Sequence, residues 1–207
     1  MRSIRVLFLR ATPRDPWMNQ AVSYLDPPFC HVEVEFDAVG PAAPDLFSML
    51  SVSRAPSAPL ATSIYANETV FLRPRTFANP NYTILTLDVT EENYRRMYRY
   101  AESCAREGVS FAATSMLLSL LPLPFSTLPA RATFCSAYVT ALLQAGNVEA
   151  VRHATPSRMR PSTLYKLLRN APQSSLSSVA YKLQHLQTLQ PGTLTQAQDV
   201  HRVHFAQ

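Results

Sequence analysis

The chain has 207 residues and a mass of 23.1 kDa, the size of one ordinary domain with room for an appendage. Hydrophobic residues make up 47% and charged residues 16%, against roughly a quarter charged in an average domain, so the composition excludes a mostly disordered chain. The net charge of +5 arises from seventeen Arg and two Lys against fourteen acids; the Arg are scattered, with no basic run and no aromatic–basic stripe, which argues against nucleic acid as a partner.

Other classes fall away on local grounds. The longest apolar stretch, Met116 to Leu121, is broken by Pro122 and Pro124 and is far short of the roughly 20 residues that a membrane helix needs. The opening MRSIRVLFLR is interrupted by Arg5 and Arg10 and runs into Pro13 and Pro16, so it does not read as a signal peptide. Three cysteines, Cys30, Cys104 and Cys135, make no close pair and no C-x-x-C. Reduced thiols and an intracellular, reducing location are the expectation. The cysteines and five histidines do not cluster at ligand spacing, so neither a metal nor a cofactor is expected.

In chain order, Ser3 to Leu9 reads as a buried strand, with Ile4, Val6 and Phe8 on one side and Leu7 and Leu9 on the other. Cys30 to Phe36 alternates strictly: Val32, Val34 and Phe36 against His31, Glu33 and Glu35, a period of two that marks a strand. Residues 40 to 62 read as a Pro-, Ala- and Ser-containing loop with a helical turn over Asp45–Val52. Ser63–Tyr65 and Thr69–Arg73 form a hairpin around Asn67-Glu68, and Tyr82–Val89 a further strand. Thr90 followed by Glu91 and Glu92 starts a helix that Gly108 ends. Phe111 to Leu121 reads as a short buried helix, Thr133 to Gly146 as a third and Ser162 to Arg169, behind Pro161, as a fourth. Beyond Pro172 the composition shifts to Ser and Gln, with Leu176, Val179, Leu183 and Leu186 in one stripe. The expected organisation is a body over residues 1–172 and a tail over 173–207 that docks on the body or on a protein partner. Strands precede helices, so the class is α+β.

Two residues stand out chemically. Cys135 opens the best-marked helix, where backbone N–H groups favour a thiolate and can bind an oxyanion; the alternative is a buried structural cysteine. His31 shares a strand face with Glu33 and Glu35, either a base with an orienting carboxylate or a merely solvated face. A nucleophilic thiol needs a base within reach, so each raises the interest of the other. Cys30, on the opposite face from His31, and Cys104, on an apolar helix face, read as core; His153, His185, His201 and His204 read as surface.

The segments Phe29-Cys30-His31-Val32-Glu33-Val34-Glu35 and Phe134-Cys135-Ser136-Ala137-Tyr138-Val139, in that order, resemble the His strand and Cys helix of the circularly permuted papain-like fold. That group includes YiiX-like proteins, relatives of NlpC-type peptidases and the lecithin–retinol acyltransferases. Ser63-Ile64-Tyr65 through Val70-Phe71, Gly108-Val109-Ser110-Phe111 and Pro161-Ser162-Thr163-Leu164-Tyr165 are similar to further family segments, so the resemblance spans residues 3 to 169. Ala137, Cys30 and Phe111 stand where the family commonly has Glu, Ser and Tyr, departures that bear on the substrate more than on the fold.

The resemblance implies an antiparallel sheet packed against the Cys135 helix, and a cysteine hydrolase or acyltransferase acting on a peptide, amide or lipid-acyl substrate. Cys135 would attack, His31 would serve as base and then acid, and Glu33, with Glu35 as the fallback, would orient His31. Glu33→Gln is expected to leave the fold intact and to cost activity. The Arg- and Pro-rich composition suits a viral version. The competing reading is an inactive papain-like module that binds partners or builds a structure such as a virion.

Overall fold

A computed structural model describes residues 1–37, 59–77, 81–120 and 128–171. The Asp45–Val52 turn and the whole 173–207 tail lie outside these residues, as does the stop at Pro122. Among the described residues the centre is a five-stranded antiparallel sheet in the order β4-β3-β2-β1-β5. Its strands are β1 (Arg2–Leu9), β2 (His31–Phe36), β3 (Leu60–Ser63), β4 (Phe71–Pro74) and β5 (Tyr82–Val89). The helices are α1 (Trp17–Leu25), α2 (Glu91–Arg106), α3 (Ala113–Leu120), α4 (Cys135–Ala145) and α5 (Pro161–Arg169). Two short strands, β6 (Ser110–Phe111) and β7 (Ala132–Thr133), pair in parallel. The architecture is α+β, as expected.

Alternation sets the layers. Ile4, Val6 and Phe8 of β1 and Val32, Val34 and Phe36 of β2 carry no exposed surface and enter one core cluster with Tyr94, Met97 and Ala101 of α2, Tyr138, Val139, Leu142 and Leu143 of α4, and Leu164 and Leu168 of α5. Burying such side chains contributes about 1.5–3 kcal/mol each. Thr90 caps α2, its hydroxyl accepting from the N–H of Asn93 at 3.1 Å, with Glu91 and Glu92 in the first turn. Pro161 begins α5, and buried Asp26 ties that end to the turn before β2: its carboxylate accepts from the N–H of Ser162 at 2.9 Å and its carbonyl from the Ser162 hydroxyl at 2.8 Å.

Two expectations are corrected. The strand placed at Ser63–Tyr65 lies earlier, at Leu60–Ser63, and Tyr65 belongs to the turn in which Asn67 takes φ 65°. Helix α1 falls on residues for which no element was expected; its Trp17 and Tyr24 are exposed and Val22 is its buried residue. The Phe111–Leu121 segment is not one helix: Phe111 is in β6, and the helix begins at Ala113. No helix among the described residues is long and apolar enough to cross a membrane.

Candidate active site

Cys135 is the first residue of α4, after Phe134 in extended conformation. The intrahelical ladder starts with the N–H of Tyr138, which donates to the carbonyl of Phe134 at 2.8 Å, so the N–H of Cys135 precedes the ladder. His31 is the first residue of β2. The sheet and helix bring together these two residues, 104 positions apart, close enough that Cys135 acts electrostatically on the imidazole and raises its pKa. Both are almost fully buried, His31 at 4% and Cys135 at 5% exposure.

The far side of the ring faces Glu33. His31 Nε2 lies 3.6 Å from Glu33 Oε1, too long for a formed hydrogen bond, so charge links the two. Ser63 Oγ lies 3.5 Å from the same nitrogen. The Ser63 hydroxyl donates to the carbonyl of Val32 at 2.7 Å, leaving its oxygen to accept from Nε2. That network assigns a hydrogen to Nε2.

Glu33 has no exposed surface, which for a carboxylate demands full compensation. Tyr65 and Tyr82 hydroxyls donate to Oε1 at 2.7 and 2.8 Å, and Arg75 donates to Oε2 at 2.9 Å. Arg75 also donates to the Tyr65 hydroxyl. Burial alone would raise the Glu33 pKa, but His31, then Tyr65 and Arg75, outweigh it and hold it below its ordinary value. Burial likewise opposes a charged His31, yet Cys135 and then Glu33 overcome it and push its pKa up to about 9.

The polar face of β2 is therefore enclosed, not solvated. Glu35, the fallback orienter, is 4% exposed and accepts from Arg5 Nε at 2.7 Å; its described partner is that arginine, so the structure places Glu33 and not Glu35 at the imidazole. Cys30 is core as expected, donating to the carbonyl of Leu9 at 3.4 Å, with its thiol pKa pushed up to about 12 by burial first and then by Cys135 and Asp15. Cys104 departs from the expectation: it is half-buried and lines a cavity of about 370 Å³ with Tyr100, Thr133, Ala137 and Tyr138. Cys135 is not among the residues lining that cavity. His153 is exposed, as expected.

Reading the sequence alone missed Tyr65, Tyr82 and Arg75. What unites them is register: Leu9 of β1 pairs with His31 on one side and with Tyr82 on the other, while the β3–β4 hairpin delivers Tyr65 and Arg75 beside β2. Alternation within one strand does not contain that information. Comparison of the chain with protein-family models, with curated proteins and with solved structures returns no match.

Proposed function

We propose that the protein is a cysteine hydrolase or acyltransferase of the permuted papain-like kind, acting on an amide, ester or thioester. The observation that carries this reading is the electrostatic coupling of Cys135, at a helix start, to an imidazole whose Nε2 faces the buried carboxylate of Glu33. A nucleophile, a base and an orienting acid in that order are what thiol acyl transfer requires. A charged imidazolium beside the sulfur favours the nucleophilic thiolate.

The steps follow from these positions. Cys135 Sγ attacks the acyl carbon, and the carbonyl oxygen takes the negative charge against the N–H of Cys135. His31 gives its proton to the departing nitrogen, oxygen or sulfur, leaving a thioester on Cys135 and a neutral imidazole. His31 then takes a proton from water or an acceptor nucleophile, which attacks the thioester and releases the thiolate. Glu33 stays ionised throughout and stabilises each imidazolium state.

One observation favours the competing reading of a partner-binding module: Cys135 is only 5% exposed, so a substrate needs an opening to reach it. Incubating the full chain with a panel of aryl ester, thioester and anilide substrates, then measuring intact mass after acid quench, separates the two. An acyl adduct mapped to Cys135 and absent in His31→Gln supports the enzyme. Failure of every substrate to acylate Cys135 and to turn over supports the module.

A further inference from the structure

Among the described residues, Tyr65 alone both donates to Glu33 and stacks on His31. Its ring lies flat on the imidazole of His31, centroids 4.5 Å apart and planes 17° apart, while its hydroxyl donates to Glu33 Oε1 at 2.7 Å. Tyr82 donates to the same oxygen at 2.8 Å, but its recorded ring contact is with Phe77. The outer face of Tyr65 is itself covered by Phe71, centroids 5.5 Å apart and planes 13° apart, so His31, Tyr65 and Phe71 form one stack of three rings.

We propose that Tyr65 is a positioning residue for the Cys135–His31–Glu33 site, its ring face fixing the plane in which the imidazole meets thiol and carboxylate. This rests on the proposed catalytic reading and deepens it. An imidazole is useful in acyl transfer only when both nitrogens point at their partners, and rotation about its side-chain bond breaks both contacts at once. At 3.6 Å the Glu33 contact is too long to fix the ring by itself. A flat stack restrains rotation directly, and the Tyr65 hydroxyl ties the restraint to the carboxylate. The hydroxyl, shared in function with Tyr82, is the lesser part; the ring is the part without a substitute.

Burial, Cys135 from α4 and Glu33 from its own strand bear on the His31 charge; Ser63 from β3 and Tyr65 from the turn face the ring, and Arg75 and Tyr82 reach Glu33, Arg75 lying against the Tyr65 ring as well. If the ring turns away from Cys135 and Glu33, burial is left unopposed, and burial disfavours the imidazolium. The His31 titration must then move down.

The test uses the full chain labelled with ¹³C-histidine, His31 being assigned by the signal lost in His31→Gln, together with the rate of Cys135 alkylation by iodoacetamide at pH 7. Tyr65→Phe keeps the ring face and deletes only the hydroxyl to Glu33, so it should retain more of the wild-type His31 midpoint and alkylation rate than Tyr65→Leu does. Tyr65→Leu deletes the ring face and should lower the His31 midpoint by at least about one pH unit and slow alkylation at Cys135. A purely structural tyrosine would lower the unfolding temperature in Tyr65→Leu without moving the midpoint, and a folded Tyr65→Leu titrating like wild type overturns the proposal. If Tyr65→Leu does not fold, Phe71→Leu, which frees the outer face of the stack, decides by the same midpoint: a downward shift supports, none overturns. His31→Gln leaving Cys135 alkylation unchanged would instead sink the catalytic reading, whatever Tyr65 does.

Discussion

Glu33 holds a full negative charge with no exposed surface, and its three donors set what a substitution there does. Sequence alone suggests that Glu33→Gln spares the fold. The structure revises this, because the amide cannot pair with the Arg75 charge and offers a donor where the surroundings already donate. We expect Glu33→Gln to cost about 3 kcal/mol in chemical denaturation, the low end for breaking a buried pair, since Arg75 is 29% exposed and can rehydrate. Glu35→Gln removes a partner of half-exposed Arg5 and should not alter Cys135 reactivity. His31 carries the pH dependence. Its pKa rises from 6.5 to about 9 on folding, so its contribution to stability is complete below about 6.5 and is lost as pH rises through 9. Measured as the wild-type minus His31→Gln difference in unfolding free energy, this amounts to on the order of 3 kcal/mol between pH 7 and pH 10. Activity that needs the imidazolium proton should fall through the same alkaline range. Glu33 has the opposite sign: its pKa is held below the ordinary value of 4.5, and its contribution is lost on acidification below that point.

At the scale of elements, Gly146 shows how a correct boundary can have another cause than the one sequence suggests. It caps α4, but with φ −85° and not in the left-handed region; a Cβ there would lie 2.5 Å from Cγ of Met97 on α2. The glycine permits close packing of α2 on α4, so Gly146→Ala should lower stability by about 1–3 kcal/mol, the cost of overpacking a core, read as a lower midpoint in urea. Gly108 is the opposite case: φ is +64° with open space around its Cα, and alanine there costs about 1 kcal/mol through the backbone alone. Strands β1, β2 and β5 and helices α2, α4 and α5 were legible in the sequence because each carries a strong period or a cap: Ile4-Val6-Phe8, Val32-Val34-Phe36, Thr90 before two acids, Pro161 before Leu164 and Leu168. Helix α1 was not, since its outer face carries Trp17 and Tyr24. For the site, Cys135, His31 and Glu33 could be named from position on an element and from shared strand face. Tyr65, Tyr82 and Arg75 could not, because they converge only through the pairing of β2 with β3 and of β1 with β5, which is long-range information.

For the whole molecule, every residue assigned to the site precedes 172, and the described core closes with Leu164 and Leu168 of α5. A chain ending at residue 172 should therefore be soluble and cooperatively folded, with Cys135 as reactive as in the full chain, as judged by circular dichroism, size-exclusion chromatography and alkylation rate. Aggregation of that chain would place the leucine-striped tail inside the main core. The central claim, that position and partners make one thiol of three a nucleophile, has a direct test because accessibility points the other way. Cys104 is half-buried, whereas Cys30 and Cys135 are 3% and 5% exposed, so an inert protein would be alkylated first at Cys104. The decisive measurement is the site-resolved rate of iodoacetamide labelling at pH 7 by mass spectrometry, in wild type and His31→Gln. The account predicts that Cys135 reacts at least about tenfold faster than Cys104, and that His31→Gln abolishes the advantage. Labelling led by Cys104, or a Cys135 rate indifferent to His31, would contradict it.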